Sequence, residues 1–196
     1  MNCVAAEISK ANSSRTAYAL QSFFGRVNYS YLSRYLFSAS LRADGSSVLA
    51  KGHKWGWFPS ASAGWRISEE EFMKPTARWL SNLKLRLSWG LSGNAAVNPY
   101  QTLATLTAAT DGGTDMTPMS MANPDLSWEK TSAWNIGLDF GFLNGRISGS
   151  VDYYITHTYD LLYPKSAPAT SVFTSVLSNV GKTKGHGVEV SVSAIP

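Results

Sequence analysis

The chain has 196 residues, 44% of them hydrophobic and 12% aromatic, but only 15% charged, against roughly 25% charged in soluble proteins. Seventeen Lys and Arg against 13 Asp and Glu leave a formal charge of +4, scattered rather than clustered, which argues against a nucleic-acid-binding protein. No window approaches the ~18 apolar residues of a spanning helix, so any crossing of a membrane falls to strands.

Met1 to Ala6 carries no basic segment followed by an apolar one, so no signal peptide is read here and an exported protein would have its leader elsewhere. Cys3 is the sole cysteine, which excludes an internal disulfide and disfavours a thiolate metal cage. Residues 1–21 match no clear pattern and stay unassigned, as a loop or a preceding strand, while residues 22–196 are assigned to a β-barrel. From Ser22 onward apolar and polar residues alternate in seven runs, the period of a strand with two unlike faces.

The first run sets Phe23, Gly25, Val27, Tyr29 and Tyr31 against Phe24, Arg26, Asn28 and Ser30. After a tight connection at Leu32 to Arg34, the second sets Tyr35, Phe37, Ala39 and Leu41 against Ser38, Ser40, Arg42 and Asp44. The third sets Trp57, Ala61, Ala63, Trp65 and Ile67 against Ser60, Ser62, Gly64 and Arg66. A short helix is expected next, because Ser68 and Glu71 have capping-box spacing, the acids at 69 to 71 suit a helix start, and Pro75 would end it. Leu83, Leu85, Leu87, Trp89 and Leu91 then oppose Lys84, Arg86, Ser88, Gly90 and Ser92, about the ~9 to 11 residues of a transmembrane strand.

A long polar loop spans Gly93 to Lys130. Trp134, Ile136, Leu138, Phe140 and Phe142 follow against Asn135, Gly137, Asp139 and Gly141, and Asn144-Gly145 marks a hairpin turn. Ile147, Val151, Tyr153 and Ile155 oppose Arg146, Ser148, Ser150 and Asp152. After a second long loop, Tyr163 to Lys184, the last run places Val188, Val190, Val192 and Ala194 against Gly187, Glu189, Ser191 and Ser193.

Short turns at one rim and long loops at the other are the habit of outer-membrane barrels, whose short side is periplasmic. On that rule Tyr29, Tyr31, Tyr35, Trp65, Phe140 and Phe142 fall at the periplasmic rim, and Trp57, Trp89 and Trp134 at the outer one, as two aromatic girdles. The polar faces are rich in Ser and Gly with isolated charges, which suits a wet, crowded interior better than open water. The fold read here is all-β: an antiparallel transmembrane β-barrel segment of about seven strands, incomplete because bacterial barrels have an even number of at least eight. A soluble carbohydrate-binding β-sandwich stays open as an alternative, since it shares the alternation.

The motifs resemble those of the SusC/RagA-type TonB-linked outer-membrane proteins of Bacteroidetes, in the C-terminal half of their barrels. The resemblance rests on Phe24-Gly25-Arg26-Val27-Asn28-Tyr29, Ser40-Leu41-Arg42-Ala43-Asp44-Gly45-Ser46-Ser47, Trp57-Phe58-Pro59-Ser60 and Trp65-Arg66-Ile67-Ser68. It continues through Glu71-Phe72-Met73, Leu83-Lys84-Leu85-Arg86, Gly93-Asn94, Asn123-Pro124-Asp125-Leu126-Ser127-Trp128-Glu129 and Asn135-Ile136-Gly137-Leu138-Asp139. Asp152-Tyr153-Tyr154, Asp160-Leu161-Leu162, Asn179-Val180-Gly181 and Gly187-Val188-Glu189 complete it, in that order. It implies a piece of a large plugged barrel, 22-stranded in outer-membrane transporters, in the cell outer membrane. It further implies uptake of glycans or peptides with a SusD-like surface lipoprotein, driven by a TonB complex that acts on parts of the receptor absent from this chain. A barrel with a structural or adhesive role is the other alternative.

No catalytic motif is found, and neither a cofactor nor a metal site is expected. Gly181-Lys182-Thr183 lacks the earlier glycine of a phosphate loop and reads as loop; His53, His157 and His186 lack metal-ligand spacing. Asn12-Ser13-Ser14 and Asn28-Tyr29-Ser30 fit the glycosylation pattern, which arises often by chance. Candidate substrate contacts lie on the polar faces and outer loops: Arg42, Asp44 and Arg86 for hydroxyls and charges, His53, and Trp55 and Trp128 for stacking on sugars. Bracing of the lumen by Arg42 and Asp44, and packing of Trp55 and Trp128 in loops, are the competing readings.

Overall fold

A computed structural model describes residues 15–108, 116–167, 170–171, 173 and 175–195. Cys3 and the Asn12-Ser13-Ser14 triplet lie outside the described residues. The alternating runs form one antiparallel sheet of seven strands. In chain order these are β1 (Leu20–Tyr31), β2 (Tyr35–Ser46), β3 (Trp55–Arg66), β4 (Leu80–Asn94), β7 (Glu129–Phe142), β8 (Ile147–Tyr159) and β11 (Lys182–Ala194). Each pairs with the next in the order β1-β2-β3-β4-β7-β8-β11, so β1 and β11 are the two edges and the sheet is not closed.

The remaining strands are two small hairpins inside the long connections: β5 (Thr105–Ala108) with β6 (Met116–Ser120), and β9 (Leu162–Ser166) with β10 (Ser175–Asn179). Neither was visible in the alternation, because strands of four and five residues offer too few periods to register. Among the described residues these two-stranded sheets are the only others beside the seven-stranded one.

Register fixes which side chains share a face. Leu85 stands opposite Leu138 and Leu87 opposite Ile136, and across the next pair Ile136 faces Tyr153, which faces Val188. Val188, Val190 and Val192 are 62–65% exposed, an arrangement that water would penalise by about 1.5–3 kcal/mol per side chain and that bilayer hydrocarbon does not. Aromatic pairs close this belt at both rims. Tyr35 stacks on Trp65 at 6.5 Å and Trp79 on Phe142 at 5.9 Å at the short-turn rim. At the loop rim Phe23 stacks on Trp55 and Trp89 packs on Trp134, both at 6.0 Å.

The two short turns carry Leu32 and Ser33 at φ 51° and 57°, and Leu143 and Asn144 at φ 53° and 59°. Paired left-handed residues match the right-handed twist of the strands that these connections of three (32–34) and four (143–146) residues join, yet leucine there costs roughly 1–2 kcal/mol. Leu32→Asn is therefore expected to raise the unfolding midpoint in urea, by up to about 1 kcal/mol of stability.

Between β3 and β4 the expected capped helix does not form. Two short 3₁₀ helices stand there, Ile67–Glu69 and Glu71–Thr76, with Ser68 inside the first and Pro75 inside the second. Neither has a side-chain cap, because the helix-start positions are Arg66 and Glu70, and Glu70 is held extended at φ −77°, ψ 149° by contacts of its own. Ile67, grouped with the third run, has already left β3.

Candidate functional site

Along the middle of the strands the charges stand on the inward face. Arg86 on β4, Gly137 on β7 and Asp152 on β8 occupy one row across three strands. The Arg86 guanidinium donates from Nε to both Asp139 oxygens at 3.0 and 2.9 Å, and from Nη2 to Asp139 at 2.8 Å and to Asp152 at 3.0 and 3.1 Å. The reach over β7 exists because position 137 has no side chain: a Cβ there would stand 2.7 Å from Nη2. Arg86 is thus held in a three-strand brace. Sequence alone placed Arg86, Asp139 and Asp152 on polar faces, and the missing signal was their register.

Arg42 and Asp44 sit together near the outer end of β2, where Arg42 Nε donates to Asp44 Oδ2 at 2.8 Å and the guanidinium lies over the Phe58 ring at 5.5 Å. They border a cavity of about 580 Å³ walled by Tyr18, Ser22, Asn94 and Val97. Asp44 is 6% exposed, and its second oxygen, Oδ1, has no hydrogen-bond partner among the described residues. A buried carboxylate oxygen without a donor is costly to leave unsatisfied.

Behind the cavity the outer loops pack a hydrophobic cluster of their own: Val48, Leu49 and Ala50 from the β2–β3 loop, Phe58, and Val97, Leu126 and Trp128. Trp128 is 5% exposed, meets Phe58 edge-on at 5.3 Å and donates its indole N–H to Lys54 O at 3.0 Å. The Phe58 ring is seated over Gly93, where any Cβ would collide with it. Asn179 ties the next loop in, donating to Ser127 O and Asp160 O at 2.9 Å while accepting from Ser127 N at 2.8 Å. Asn123 Nδ2 donates to Leu177 O at 2.6 Å.

The six residues named from sequence are therefore not one site. Arg42 and Asp44 are brought together at the cavity, and Arg86 belongs to the brace. Trp128 is in the loop core, with its indole turned to protein. Trp55 is in β3 rather than a loop, on the outward face against Phe23. His53 is exposed in the β2–β3 loop, where its backbone N–H donates to Ala50 O.

Glu70, read as a helix-start acid, is instead the hub of the short-turn rim. Its carboxylate accepts from the Tyr35 hydroxyl at 2.7 Å, the Trp65 indole at 3.0 Å and Arg34 at 3.2 Å, joining the β1–β2 turn to the β3–β4 connection. These bonds, Tyr35 first and Trp65 second, hold the carboxyl below its ordinary pKa. The folded state thus favours the charged form, so the contribution is complete above the ordinary glutamate range and fades as pH falls through the lowered value. Glu70→Gln should destabilise the protein at neutral pH and flatten the acid limb of its stability profile, as read by urea unfolding across pH 3–7.

Among the described residues no three His, Cys, Asp or Glu stand close enough to hold a metal ion, and no helix is long and apolar enough to cross a membrane. The sequence profile of the family described as TonB dependent receptor-like, beta-barrel, matches residues 4–194. The chain belongs to that family. As a TonB-dependent receptor barrel it lies in the outer membrane. It is 43% identical over 196 aligned residues to TonB-dependent receptor SusC of Bacteroides thetaiotaomicron, covering 93% of this chain and 19% of that protein. TonB-dependent receptor P39 of Formosa agariphila is 37% identical over 183 residues, covering 92% and 18%. A structure of the RagAB peptide transporter superposes with a TM-score of 0.81 at 35% identity, covering 90% of this chain and 20% of that one. The chain spans about a fifth of the length of these relatives.

Proposed function

We propose that this receptor segment forms wall and outer mouth of a TonB-driven importer for oligosaccharides or peptides, working with a SusD-like surface lipoprotein and carrying out no catalysis itself. The supporting observation is the cavity at the loop end of the inward face, bordered by the Arg42 guanidinium and by Asp44, whose Oδ1 is buried without a partner among the described residues. Such a pair reads hydroxyls and amides of a neutral polar nutrient without demanding a fixed charge. RagAB is a peptide transporter by name, and the oligosaccharide class follows from the resemblance to the SusC/RagA type. A TonB complex would act on other parts of the complete receptor, so energy coupling is no property of these residues. Residues 22–196 are read as part of the barrel and residues 1–21 as an unassigned start, loop or preceding strand, of which Leu20 and Gln21 already stand in β1.

The test is uptake by cells carrying the complete receptor with Asp44→Asn, which exchanges one acceptor for a donor and keeps the size. Half-saturation for the nutrient should rise about tenfold, the equivalent of one lost charge-assisted hydrogen bond of about 1.4 kcal/mol, at unchanged surface abundance. Unchanged half-saturation would assign Arg42 and Asp44 to bracing alone, and a receptor that imports nothing would leave a structural or adhesive barrel.

A further inference from the structure

The outward face changes character along β7, β8 and β11. From the short-turn rim it runs Phe142–Ile147–Ala194, Phe140–Gly149–Val192, Leu138–Val151–Val190 and Ile136–Tyr153–Val188, four rows without a charge. Toward the loop rim the next rows are Trp134–Ile155–His186, then Ser132–His157–Lys184, then Lys130–Tyr159–Lys182. Three lysines and two histidines thus gather in three successive rows, and no Asp or Glu occupies an outward position on these strands. Neighbouring strands lie about 4.8 Å apart and same-face residues about 6.8 Å apart along a strand, which puts Lys130, Lys182 and Lys184 within roughly 12 Å of one another. His157, Lys182, Lys184 and His186 are exposed, and none of the five side chains makes an ion pair or hydrogen bond with a described residue.

This is not how the rest of the loop rim is made. The outward positions at the loop ends of β1 and β3 carry Phe23, Trp55 and Trp57, an ordinary aromatic girdle. Protection of an exposed edge, a common use of strand lysines, does not account for Lys130, which belongs to β7, paired on both sides. Lys182, which sequence placed in a loop, opens β11 and so is aimed by its register. The patch is continuous with the hydrocarbon belt, with Trp134 and Ile155 directly below it.

We propose that Lys130, Lys182 and Lys184, with His157 and His186, bind the phosphorylated head group of an outer-leaflet glycolipid whose acyl chains lie on the valine face of β11. Ammonium groups on flexible stems reach phosphate oxygens from the edge of the belt, and the ring nitrogens add hydrogen bonds. The proposal depends on the loop rim facing outward and not on transport, so a receptor with altered uptake still tests it.

The experiment uses the complete receptor in detergent and native mass spectrometry, with three probes: a bis-phosphorylated acylated glycolipid, the same lipid with its phosphates removed, and inorganic phosphate. The unaltered receptor should retain the phosphorylated lipid at least tenfold more than the dephosphorylated one. Lys130→Gln/Lys182→Gln/Lys184→Gln should abolish that preference, and the triple Lys→Arg receptor should keep it. Equal retention of the two lipids, or a glutamine variant with the preference intact, would overturn the proposal. So would inorganic phosphate binding as tightly as the glycolipid, since the belt would then contribute nothing. If the glutamine variant fails to assemble, the head-group comparison on the unaltered and arginine receptors still decides.

Discussion

Trp128→Ala is expected to destabilise the outer loops by about 3–5 kcal/mol, the usual range for deleting a buried tryptophan. The residue is 5% exposed, and its loss empties the space beside Phe58 and leaves Lys54 O without its donor. Leu126, wholly buried next to it, should cost about 2–5 kcal/mol as Leu126→Ala. The strands are paired independently of this cluster, so the barrel should still assemble and migrate as a folded, heat-modifiable band. Hydrogen exchange should rise at Val48 to Ala50 and around Asn179, where the loops are tied, and stay low along β4 and β7. Increased exchange along the whole sheet would show that the loop cluster is not a separate cooperative unit.

Arg86→Met should cost about 2–3 kcal/mol. A fully buried charge network broken on one side loses about 3–5, but Arg86, Asp139 and Asp152 keep 35%, 26% and 16% of their side-chain surface, so water offsets part of that. The loss arises from two carboxylates left without their shared cation, which yields a sharp control: Arg86→Met/Asp139→Asn/Asp152→Asn should recover most of the stability in urea unfolding. Gly137→Ala should damage the same brace with all three charges in place, because its methyl group occupies the path of the guanidinium. A triple variant no better than Arg86→Met would mean that the arginine acts through packing.

The seven long strands were legible because period two survives over twelve or more residues, and because a lipid-facing stripe tolerates nothing polar at its centre. What sequence could not show was anything set by neighbours across the sheet. Arg86 was named as a substrate contact while its two acids, each more than 50 residues away, were visible only as members of other polar faces. Trp55 and Trp128 looked alike as loop tryptophans, yet strand β3 extends two residues further than its alternation and turns Trp55 outward, whereas Trp128 is drawn inward by Phe58. The capping-box spacing at Ser68 failed for a related reason: three donors from other elements claim Glu70 and break the helix in two.

The protein is inside-out, with hydrocarbon outside the sheet, a wet lumen inside, and its buried hydrophobic cluster at the outer loops. Single cysteines along β4 of the complete receptor, carrying Cys3→Ser and labelled with a small fluorophore, test this most directly in bilayers containing brominated lipid. Quenching by the lipid is predicted at 85, 87 and 91, and quenching by aqueous iodide at 84, 88 and 92. The opposite phase, or aqueous quenching at every position, would contradict the claim.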